Sequence, residues 1–128
     1  MGRLDADDGE LATRFRSMDE ASRRRFACSM VRAALKQCDP PVALPPITEQ
    51  LLGTGGVATR PQLADLDRRA ASSGSGSDEA RVRRARAVVA ARYALSPQPG
   101  APEEALYEAL HASRSLPSAL EEARRRLS

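Results

Sequence analysis

The 128-residue chain has almost no aromatic side chains. Tryptophan is absent, and Phe15, Phe26, Tyr93 and Tyr107 make up the 3% aromatic content. It has one histidine, His111, two cysteines, Cys28 and Cys38, and one lysine, Lys36. These shortages exclude several chemistries. One histidine and two distant cysteines do not assemble a four-ligand zinc site. A nucleophile activated by a histidine and an orienting carboxylate has a single histidine to draw on, and His111 sits in an ordinary amphipathic segment. No run approaches the roughly 18 apolar residues that a membrane span needs. The acidic opening, Met1 to Glu10, has no apolar centre and does not read as a signal peptide. No period-2 stretch rich in Val, Ile or Thr marks a strand.

What is abundant is alanine, 23 residues, and arginine, 19 of the 20 basic residues. This skew is what a GC-rich genome produces through codon composition. Small side chains let helices approach closely but bury little area each, so modest stability is expected unless a partner adds buried surface. The net charge is +3, with 17 acidic residues interspersed. A length of 128 residues fits one domain with its own core.

The expected fold is all-α, an irregular bundle of six to seven short helices over a single domain, 1–128, with frayed residues 1–8. A first short helix spans Glu10 to Arg16. Ser17 and Glu20 read as a capping box opening a long helix to about Gln37, which Asp39-Pro40-Pro41 stops. Pro45 and Pro46 start a short helix, Ile47 to Leu52, closed by Gly53. Thr59 and Gln62 form a second capping box, for a helix to about Ala71. Ser72 to Ser77, a Ser/Gly run, is a flexible and protease-accessible connector. Ser77 caps a second long helix to Leu95, and Pro102 and Pro117 start the last two. The two cysteines flank most of one helix, with Cα atoms roughly 15 Å apart, too far for a disulfide. They are read as free, buried thiols in a reducing cytoplasm.

Gly53-Thr54-Gly55-Gly56 lacks the lysine and the preceding strand of a phosphate loop. Three arginine clusters remain, of which two are candidate partner-binding sites: Arg81, Arg83, Arg84 and Arg86 in one helix, and Arg124, Arg125 and Arg126 near the end. Placed at about 100° intervals, the first four wrap around their helix, while Val82, Ala85, Val89 and Tyr93 gather in a seam expected to face the core. A solvated, salt-bridged helix is the plain account of such a pattern.

The segment Arg25-Phe26-Ala27 running into Met30-Val31-Arg32-Ala33-Ala34-Leu35, the proline-rich break and the short helix ending in Leu51-Leu52-Gly53 resemble small helical bacterial immunity proteins. Ala85-Arg86-Ala87 and the stretch Glu104 to Ala112 are similar in texture. The resemblance spans roughly residues 20 to 114. It implies a protein that binds a protein partner without catalysis, and it carries over no functional residue. The expected function is therefore a non-enzymatic cytoplasmic interaction module of immunity or adaptor type. It has no cofactor and no membrane role, and its partner is another protein, either an acidic one or a second copy of the chain. The competing reading is a nucleic-acid-binding regulator that sets the arginine clusters on phosphates. It lacks a helix-turn-helix signature and aromatics for base stacking.

Overall fold

The computed structural model describes residues 2–72 and 77–127, and those residues form eight helices and no strand. They are α1 Arg3–Asp7, α2 Gly9–Arg16, α3 Glu20–Gln37, α4 Pro46–Thr54, α5 Arg60–Ala71, α6 Asp78–Ala94, α7 Ala101–His111 and α8 Leu116–Leu127. The all-α class holds; the count is eight, not six to seven.

The extra helix is α1, in the segment expected to fray. Leu4 is buried there, and the Gly2 amide donates to Asp5 Oδ2 at 2.8 Å. Arg16 of α2 grips Asp5 with both Nη atoms, at 2.8 and 2.6 Å, and Glu103 of α7 through Nε and Nη2, both at 2.7 Å. One guanidinium thus ties three helices. Composition hides this, because the tie depends on where Arg16 and Glu103 meet in space. Asp8 then caps α2 by accepting from the Leu11 amide.

Other boundaries follow the local chemistry closely. Thr59 and Gln62 form the expected reciprocal box, and Ser77 accepts from the Ala80 amide. Only the ends of the expected connector, Ser72 and Ser77, belong to the described residues; 73–76 lie outside them. The start of α3 differs: Asp19, not Ser17, accepts from the Ser22 amide at 2.7 Å, and Ser17 ends α2. A carboxylate satisfies the helix amides and also favours the positive end of the dipole. Similarly, α4 runs past Gly53 to Thr54 and closes on Gly55, whose φ of 71° suits glycine.

The core lies where α3, α6 and α7 meet. Ala87, Ala90, Ala91 and Ala94 of α6 join Ala27 and Ala34 of α3 and Ala105 and Ala109 of α7, with Leu35, Val31, Leu106 and Leu110 between them. The expected seam of α6 lies at the rim of the core and not at its centre: Tyr93 packs on the core in part, and Ala85 and Val89 are half-buried. Val82 is 55% exposed, whereas Arg84, Ala87, Val88, Ala91 and Ala94 are buried, on nearly the opposite side of the helix. The physical reason is contact on several sides: α6 packs against α3, α5 and α7, and closely packed helices favour alanine at the contact over valine at the rim.

Burial of Arg24 and Arg84 is the least expected feature. Arg24 of α3 sends Nη1 to the Ala94 and Ser96 carbonyls, at 2.9 and 2.6 Å, at the C-terminal end of α6. Arg84 of α6 sends Nη1 to the Asp39 carbonyl at 2.7 Å, just past the C-terminal end of α3. Each of the two antiparallel helices therefore supplies the donor for carbonyls at the other's end.

Replacing Arg24 by Met keeps the stem and removes the donors, leaving two carbonyls unsatisfied. The expected loss is about 2 to 4 kcal/mol of unfolding free energy, read from urea titrations. A loss below about 0.5 kcal/mol would show that water replaces the guanidinium there. A second outcome concerns acid. The Arg16 guanidinium holds the Asp5 carboxyl at about 2, below its ordinary 3.8. A depressed acid contributes stability that is complete above the unfolded value and is lost as pH falls through the folded one. Stability should therefore decline between about pH 4 and pH 2, and less steeply in Arg16→Ala. Equal slopes in both chains would separate the decline from this pair.

Candidate functional site

The seven arginines singled out from the sequence do not form one surface. Arg81 pairs with Asp78, and Arg83 donates from Nη1 to Glu79 Oε1 at 2.6 Å, each within α6. Arg84 is buried against the Asp39 carbonyl. Arg86 Nη1 lies 3.6 Å from Glu108 Oε2, and that nitrogen is buried without a hydrogen bond. On α8, Arg124 pairs with Asp8 and Arg125 with Glu122. Arg126 reaches Glu122 at 2.9 Å and Ser29 Oγ at 2.5 Å. Intramolecular carboxylates take up most of the charge that a phosphate surface would use.

Two of the seven, Arg83 and Arg125, come together on a groove of about 700 Å³ between α3 and α8. Met30 and Ala33 contribute to its floor, but Glu121 and Glu122 share its wall, so its charge is nearly balanced.

A different cleft combines apolar and cationic surface. The segment Pro40 to Leu44 leaves α3 through a cis Asp39–Pro40 bond. Along it, the C-terminal half of α5 and the middle of α6 enclose about 590 Å³. Pro40, Pro41, Val42, Leu44 and Val88 supply apolar lining; among the described lining residues Arg68 and Arg69 set two exposed guanidiniums beside one carboxylate, Asp65, while the buried Arg84 is bonded to the Asp39 carbonyl. Leu44 and Val88 are buried parts of the core, so the floor is fixed by packing. Asp65 accepts from Arg69 Nε at 2.7 Å and lies 3.5 Å from Arg68 Nη2. The Arg69 guanidinium holds the Asp65 carboxyl below its usual range, so the carboxylate stays ionised and orients both arginines.

Of the residues named in advance, this cleft contains Arg84 alone. Nothing in the sequence marks Arg68 and Arg69, because their (i, i+3) and (i, i+4) spacing from Asp65 is that of an ordinary surface pair. The signal that was available is the proline pair after α3. It prevents the chain from continuing as helix and lays an extended apolar stretch beside α5 and α6.

The groups considered for catalysis are held structurally. His111 Nε2 lies 2.7 Å from Asp7 Oδ2, and its ring sits 4.3 Å from that of Tyr107. Both cysteines are free and buried. Burial pushes the Cys28 thiol up to about 11, and it raises Cys38 as well. Among the described residues, no group of three His, Cys, Asp or Glu side chains is placed to hold a metal ion, and no helix is long and apolar enough to cross a membrane.

Since the thiolate is the reacting form, neither cysteine should label with iodoacetamide at pH 8 until the chain is unfolded. Mass spectrometry of native and urea-treated protein reads this directly, and rapid native alkylation of Cys28 would contradict its placement. Comparison with known proteins finds no family model, no curated protein and no solved structure that matches this chain.

Proposed function

We propose that the protein is a non-enzymatic interaction module of immunity or adaptor type, working in the cytoplasm, whose partner is an acidic protein. One observation carries this reading: the cleft beside α5 and α6 sets guanidiniums in excess of carboxylates around an apolar floor. Protein interfaces favour that combination, because an apolar centre supplies affinity while surrounding charge supplies orientation and on-rate. Arginine suits the edge of such a site, since its planar fork pairs with carboxylates at two points. The resemblance of residues 20 to 114 to small helical immunity proteins supports the same class of function. The structural placement of His111, bonded to Asp7, and of the buried Cys28 and Cys38 agrees with it.

The competing nucleic-acid reading places Arg81, Arg83, Arg84, Arg86 and Arg124 to Arg126 on phosphates. Their dispersal over α6 and α8, and their carboxylate partners, weaken it. A phosphate-tracking surface needs cations aligned along one path.

Two measurements test the proposal together. Affinity capture from the native cell should recover a protein with an acidic surface. Binding to mixed DNA and RNA at about 50 and 200 mM salt should be weak at both. Submicromolar nucleic-acid binding with a steep salt slope, and no protein recovered, would overturn the interaction-module reading.

A further inference from the structure

Within the interaction-module reading, on which this step rests, we infer that the cleft between Pro40–Leu44, α5 and α6 takes an acidic peptide segment of the partner. A Glu or Asp side chain would pair with Arg68 and Arg69, and a neighbouring apolar side chain would lie on Val42, Leu44 and Val88. Charge complementarity selects this occupant. Arg68 and Arg69 have one carboxylate between them among the described residues, and Asp65 uses Nε of Arg69 and a single distant contact to Arg68. The remaining guanidinium donors face outward: the Arg68 and Arg69 side chains are 70% and 44% exposed. An incoming carboxylate therefore meets two oriented donors without displacing Asp65. An arginine fork donates two parallel hydrogen bonds to the oxygens of one carboxylate.

The apolar lining distinguishes this occupant from a nucleic acid. A phosphodiester strand presents charge at regular intervals, and its bases are held by aromatic stacking. Among the described residues that line the cleft none is aromatic, and its apolar surface is aliphatic and proline-rich. A short peptide with Leu or Val next to Glu matches both halves. A second copy of the chain fits less well, since several of its exposed carboxylates are already drawn into ion pairs, among them Asp78 with Arg81 and Glu79 with Arg83.

The test uses the full chain and a fluorescein-labelled twelve-residue peptide of Ser and Gly carrying Leu-Glu-Val-Glu at its centre. A second peptide has Gln for Glu, a third has Ser for Leu and Val, and a single-stranded DNA of twelve nucleotides is the fourth probe. Fluorescence polarisation should show the first peptide binding at least ten times more tightly than the second or third. The double variant Arg68→Ala/Arg69→Ala should weaken it about tenfold or more, with an unchanged thermal melt. Val42→Asp, which sets a negative charge on the partly exposed edge of the floor, should do the same. Arg81→Ala, outside the cleft, should bind as the native chain does.

Failure of the native chain to prefer the first peptide overturns the inference. So does binding that survives both cleft variants, or DNA bound more tightly through the same two arginines. The interaction-module reading fails separately. A cellular partner captured equally by the native and Arg68→Ala/Arg69→Ala chains removes the cleft as its docking site and leaves the module standing, whereas recovery of nucleic acid alone removes the module.

Discussion

A core in which alanine is as frequent as leucine lets helices come close together, and close approach buries backbone that must still be hydrogen-bonded. The reciprocal reach of Arg24 and Arg84 satisfies that requirement. α3 and α6 run antiparallel, and carbonyls at and just past the end of each helix have no partner within its ladder. Ser, Thr or water satisfies such groups at an exposed helix end; at a buried one the donor has to arrive from a neighbour. A long stem carrying a guanidinium spans the gap and adds apolar contact along the way. Arg24 bonds the Ala94 and Ser96 carbonyls, and Arg84 bonds that of Asp39. The pair fixes the register of α3 on α6, and α7 packs on both. The Pro40–Leu44 segment leaves α3 at the carbonyl that Arg84 holds, so the same contact sets one wall of the cleft.

Ion pairs then attach what the thin core holds less firmly. α1 presents little apolar surface beyond Leu4, and Arg3 and Arg16 tie it to α7 through Glu104 and Glu103. α8 buries Leu120 and Ala123, and Arg124 reaches Asp8 at the start of α2. An exposed ion pair contributes little by itself, about 0 to 1 kcal/mol. Arg16 contributes more specificity than a single pair because two carboxylates from two helices converge on it, which restrains both at once. The arginine excess implied by the composition is therefore used largely inside the molecule.

Much of the helical framework was legible because caps and breakers are local. Thr59 with Gln62, Ser77, and the prolines at 46, 102 and 117 mark helix starts that depend on neighbours in sequence. What depended on neighbours in space was not legible. The face of α6 was misjudged because valine and tyrosine weigh more than alanine in any hydrophobic pattern, yet alanine is what a tightly packed contact selects. The burial of Arg24 and Arg84 has no local mark, because nothing in the neighbouring sequence distinguishes a buried arginine from an exposed one. α1 has no local mark because five residues are too few to hold a helix alone, and what holds it is remote: the burial of Leu4 and the contacts of Arg3 with Glu104 and of Arg16 with Asp5. The cleft was invisible for a related reason: its walls come from three separate segments of the chain, and no motif records their meeting.

The difference between paired and shared charge explains why recognition is assigned to Arg68 and Arg69 and not to the larger clusters. A guanidinium already matched to its own carboxylate gains little from a second one, because the partner must displace the first and desolvate itself in doing so. Arg124 and Arg126 are in that position, with Asp8 and Glu122. Arg68 and Arg69 share Asp65, so a further carboxylate adds a bond where none is lost. The adjoining aliphatic floor matters equally, since partial exclusion of water strengthens the new pair. Charge alone would draw any polyanion to this chain; a shared carboxylate beside a fixed apolar wall favours a ligand that carries one acid and one hydrophobic side chain together.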